Sequence, residues 1–143
     1  MKWHQFLTRV GLWLGAAAHL LSGFSGVLGS SATTQGMAPT PGPDAVSGMG
    51  SPDFAVGLVF IGLGALAIKT RASLAEYRRM GPRLLVLYLI ASLAAYLMQS
   101  MLTSLVQQSS YVSAINPVVI VAGVVGICLH VVYYDKRAHL FVN

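Results

Sequence analysis

The stretch FLTRVGLWLGAAAHLLSGFSGVLG, Phe6 to Gly29, decides the architecture. From Val10 onward it carries no Asp, Glu, Lys or Arg, and it meets the roughly 20 helical residues needed to cross bilayer hydrocarbon. The whole chain shares that character. Of its 143 residues 55% are hydrophobic and 9% charged, where a soluble domain carries about a quarter charged. A basic start followed by an apolar run also describes a secretory signal peptide. This run is about twice as long as such a core and is interrupted by glycines and His19, so it is read as a retained helix.

Three further segments follow. Leu84 to Val106 has spanning length and no charge, Val118 to Tyr134 is shorter but unbroken, and Phe54 to Ile68 needs its flanks to complete a span. Lys69 can supply one flank by snorkelling. Proline at a first helical position costs no hydrogen bond and presets φ, so Ser51-Pro52, Gly81-Pro82 and Asn116-Pro117 mark helix starts. The expected helices are about 6–29, 52–70, 82–106 and 117–135. RASLAEYRRM, Arg71 to Met80, carries good helix formers and can prolong the second helix, with Glu76 paired to Arg79. The fold class is all-α: an integral membrane four-helix bundle, in one domain over 1–143. The Gly, Pro, Ser and Thr rich segment 30–51 is expected to be a loosely ordered outer connector.

Charge sets the orientation. Lys2 and Arg9 precede or open helix one; Lys69, Arg71, Arg78, Arg79 and Arg83 lie around the second connection; Lys136 and Arg137 follow helix four. All nine basic residues thus fall on one side, which by the positive-inside rule is the cytoplasm, with both termini there. The formal charge of +5 is accordingly topological, and no nucleic-acid partner is expected. The expected location is the cell membrane. Four helices with both ends inside is common among small bacterial membrane proteins and too general to carry a function. The lone cysteine, Cys128, excludes an intrachain disulfide.

The helix faces carry the remaining information. Gly11, Gly15, His19, Ser22 and Gly26 recur at spacings of three and four on helix one, with Ala18 among them. Stripes of small residues let helices approach closely in lipid, where apolarity alone gives no reason to associate. Gly123, Gly126 and His130 repeat the pattern on helix four, and Gly57 and Gly64 on helix two. Helix three instead shows a polar stripe of Tyr88, Ser92, Tyr96, Gln99 and Thr103, expected to face the interior because lipid cannot satisfy it. Counting depth from the basic end matches His19 to Tyr96, with Gln99 as the alternative, and His130 to Tyr88. Each histidine is therefore expected to hydrogen-bond helix three, a contact worth about 0.6 kcal/mol that fixes register.

Sharper chemistry is weaker here. A haem clamped by His19 and His130 would need ligands at one depth, and these lie about eight residues, roughly 12 Å, apart. Met98, nearer in depth to His19, sits on another face. No ligand cluster suggests zinc. Coupled transport usually needs an intramembrane carboxylate, and the four acidic residues, Asp44, Asp53, Glu76 and Asp135, lie outside the apolar runs on opposite sides. They assemble no catalytic pair either. The expected role is non-catalytic and without cofactor: an accessory, assembly or regulatory subunit whose partners are the bilayer and another membrane protein or a second copy. A small oligomeric channel or carrier is the alternative, and a haem-bearing redox subunit the next.

Overall fold

The computed structural model describes residues 2–28, 52–106 and 116–141; the connector expected at 30–51 and the loop at 107–115 lie outside them. Four helices, each long and apolar enough to cross a membrane, make up almost all of the described chain: α1 (Lys2–Val27), α2 (Pro52–Ala75), α3 (Met80–Val106) and α4 (Pro117–Asp135). A short 3-10 turn, Ala138–Leu140, follows. Helix one begins at Lys2, about a turn before its expected start, while α2 runs on to Ala75, into the stretch expected to prolong it.

The N-terminal part of α1 is not regular. A π turn, Leu7–Gly11, interrupts it, and Leu12 N–H bonds back to the Leu7 carbonyl. Arg71 of α2 meets α1 here, donating from Nε to the Thr8 carbonyl at 2.9 Å, with its guanidinium 4.9 Å from the centre of the Trp13 ring. The wider turn also changes the phase of the helix. His4, Thr8, Leu12 and Ala16, a strict step of four, all come to lie on the buried side.

Between α2 and α3 the chain reverses in a Schellman motif. Tyr77 N–H bonds to the Leu74 carbonyl and Arg78 N–H to the Ser73 carbonyl, with Tyr77 in the left-handed region at φ 52. Glycine usually holds this position because a side chain is strained there. Tyr77 is held by its ring, which lies 5.0 Å from His4 and 5.7 Å from Phe141 between centroids. The exposed ion pair at this turn is Arg78 with Glu76, at 2.5 Å, in place of the expected Glu76–Arg79 pair.

At the other connection the Asn116 side chain caps α4, accepting from Val118 N–H at 3.0 Å, while Asn116 N–H donates to the Tyr96 hydroxyl at 3.2 Å. The start of α4 is thereby tied to α3. The helices alternate in direction, since contacts between α1 and α2 step forward on one as they step back on the other: Thr8 with Arg71, Ala16 with Gly64, Gly23 with Gly57. The main core joins Leu12, Ala16, Ala67, Leu74, Leu85 and Tyr88 to Tyr134 and Phe141; a smaller one holds Phe60, Leu63 and Ala95. Both lie among the helices, with the main core toward the end where His4, Tyr77 and Tyr134 meet.

Candidate functional site

Where α1 crosses α2 the backbones touch. A methyl group on Gly57 would fall 2.7 Å from the Gly23 carbonyl oxygen and 2.8 Å from Val27 N; one on Gly23 would fall 2.8 Å from the Gly57 oxygen. Gly64 is met instead by the Leu20 side chain, whose Cγ would lie 2.6 Å from an added Cβ. No side chain fits between Gly23 and Gly57, so glycine is required by the space rather than by φ. This is the tightest pairing in the bundle.

The other flank of α1 faces α3 and carries the polar contact. His19 Nε2 and Ser92 Oγ share a hydrogen bond of 3.3 Å. The imidazole also stacks on Phe60, centroids 5.5 Å apart, and meets Tyr88 edge-on at 5.7 Å. Gly15 makes room for Tyr88, whose hydroxyl would lie 2.5 Å from an added Cβ. His19 thus reaches helix three as expected, but one turn nearer the basic end than Tyr96. Counting depth from the basic residues does not see the Gly23–Gly57 crossing, which fixes where α1 stands along the bundle. Tyr96 serves the cap of α4 instead, and Gln99 is exposed.

At the basic end a second histidine is built into the fold. His4 is buried, its Nδ1 sharing a 3.2 Å hydrogen bond with the Tyr134 hydroxyl, and Tyr77, Tyr134 and Phe141 surround its ring. This cluster joins the beginning of the chain, the α2–α3 turn and the end of α4. The sequence reading missed it. The signal was the step of four from His4 through Thr8 and Leu12 to Ala16, which a regular 3.6-residue period does not keep on one face.

Helix α4 is held differently from the rest. Of its apolar window only 6% is buried within the chain, against 33% for α2. Gly123 packs on Leu93, but Gly126 has nothing within 4 Å of where its Cβ would be. His130 does not reach Tyr88. Its Nδ1 donates to the Gly126 carbonyl, one turn back, at 2.7 Å, and its Nε2 is buried with no partner among the described residues. Trp3 lies against the imidazole, centroids 5.8 Å apart. Clefts flank α4 on both sides: one of about 560 Å³ toward Trp3, lined also by Lys136 and Arg137, and one of about 650 Å³ toward α3.

The predicted small-residue face of helix one is therefore divided. Gly26 is buried, Gly15 and His19 line the α3 side, the space beside Gly11 is filled by its own helix through Leu7 and Phe6, and Ser22 is exposed. The buried stripe toward α2 runs instead through Ala16, Leu20 and Gly23. On α3, Tyr88 and Ser92 face the interior; the side chain of Thr103 lies outside the described residues. His19 and His130 keep separate neighbours, and among the described residues no three His, Cys, Asp or Glu side chains gather at metal-binding range. No protein-family model matches the chain, and neither a curated protein nor a solved structure matches it.

Proposed function

We propose that this chain is a multi-pass membrane protein with both termini in the cytoplasm, acting without catalysis as an accessory, assembly or regulatory subunit. It packs against a helix of another membrane protein through α4. The observation that carries this reading is how little of α4 is covered: 6% of its apolar span is buried within the chain, against 22% for α1 and α3 and 33% for α2, and Gly126 has nothing within 4 Å of where its Cβ would be. An open glycine on a spanning helix is where a further helix can approach closely. The orientation is supported by the nine basic residues, which the described contacts gather at one end of the bundle.

A photo-crosslinking residue at Leu129, an exposed position of α4 near Gly126, tests the assignment in native membranes. The expected result is a discrete adduct of one mass that disappears when Gly126→Leu is added. An adduct at twice the chain mass would give the face to a second copy of this chain. No discrete adduct, or one indifferent to Gly126→Leu, would overturn the subunit reading.

A further inference from the structure

The cleft between the start of α3 and the end of α4 has a graded lining. At its mouth stand Arg79, Arg83 and His139, with Asp135 the single carboxylate of the lining. Neither guanidinium is paired with a carboxylate among the described residues, whose one such ion pair joins Arg78 to Glu76. One turn further in, on both walls, charge gives way to hydrocarbon: Val86 follows Arg83 along α3, and Val131 precedes Asp135 along α4. A helical turn is about 5.4 Å, so the change from cationic to apolar occurs over the distance that separates a lipid phosphate from the top of its acyl chains. The N-terminus of α3 opens into the same mouth and adds its positive partial charge.

We infer that this cleft binds one anionic phospholipid, its phosphate at Arg79 and Arg83 and its first acyl segment between Val86 and Val131. The inference rests on the reading that the four helices cross a bilayer with this end at the headgroup level. Within that reading a soluble anion would use only the mouth of the cleft. An anionic lipid is complementary to both parts, and each arginine near a membrane surface strengthens such binding roughly five-fold. A volume of about 650 Å³ holds a headgroup and the beginning of its chains, and leaves the chain ends in the surrounding bilayer.

The test is lipid retention by the full chain, read by native mass spectrometry after release from micelles containing equal amounts of phosphatidylglycerol and phosphatidylcholine. One phosphatidylglycerol should be retained preferentially. Arg79→Gln and Arg83→Gln should each weaken its retention roughly five-fold, while Lys69→Gln, an exposed cation outside the cleft, should leave it unchanged. Val86→Trp, which fills the apolar wall, should abolish retention with both arginines intact. Equal retention of the two lipids, or equal loss with Lys69→Gln, would overturn the inference by reducing it to general surface charge. Displacement by millimolar inorganic phosphate together with indifference to Val86→Trp would assign the cleft to a free anion, and likewise overturn it. Carbonate extraction of cell membranes separates this failure from that of the larger reading. A chain that stays in the membrane pellet but shows no selectivity loses only the lipid site; a chain released by carbonate loses both.

Discussion

Two glycine-bearing crossings in this molecule look alike in sequence and differ in structure. Between α1 and α2, Gly23 and Gly57 bring backbone against backbone, so that even a methyl group would collide with peptide atoms. Between α3 and α4, Gly123 accommodates one leucine and Gly126 accommodates nothing. A small residue lets helices approach, but only the partner's position shows whether that space has been used. The α1–α2 crossing is a completed interface. The α4 face is an open one, and the proposed subunit role follows from that difference.

The largest expected effect comes from filling the completed interface. Gly23→Leu sets a side chain against the Gly57 oxygen and the Ile61 backbone nitrogen, which cannot yield without separating the helices. We expect a loss of about 3 kcal/mol or more in detergent unfolding, the upper range for overpacking. Gly15→Leu should cost roughly 1–2 kcal/mol, because the obstacle there is the far end of the Tyr88 side chain, which can swing away. Equal losses would mean that contact with backbone does not distinguish this crossing.

A smaller effect is expected at the polar contact between α1 and α3. His19→Leu removes one partner of Ser92, and the loss should be about 0.6 kcal/mol, since the serine hydroxyl keeps its hydrogen bond with Tyr88. His19→Gln retains a donor and an acceptor and should unfold like the parent. A loss of several kcal/mol from the leucine change, rescued by glutamine, would show that this hydrogen bond organises the bundle as strongly as the glycine crossing does.

These contrasts also indicate what the sequence made legible. Apolar length gave four helices, and Pro52 and Asn116-Pro117 located two of their starts, because proline and asparagine act locally through φ and a cap. Interhelical register was less accessible. One π turn beside Arg71 rotates the first turns of α1 relative to the rest and brings His4 inside, and the packing of α1 on α2 sets His19 at the level of Ser92 instead of Tyr96. Tyr77 in a glycine-like conformation is hidden for the same reason: what holds it are rings from the two ends of the chain. Periodicity finds a helix face; it does not say which neighbour that face meets. The lining of the α3–α4 cleft was likewise invisible, since Arg83 and Asp135 come to line one cleft only through the alignment of two antiparallel helices.

The central claim is that the α1–α2 glycine crossing is filled and the α4 glycine is open, and one matched pair of substitutions tests it directly. Gly57→Ala and Gly126→Ala make the same chemical change and gain the same helix propensity, about 1 kcal/mol, so any difference reflects the space around each site. Thermal unfolding of the isolated chain in one detergent is the measurement. The account predicts that Gly126→Ala unfolds at or slightly above the parent temperature, whereas Gly57→Ala unfolds clearly below it. Equal destabilisation by both changes, or a larger one at Gly126, would mean that α4 is already packed within its own chain, and would contradict the account.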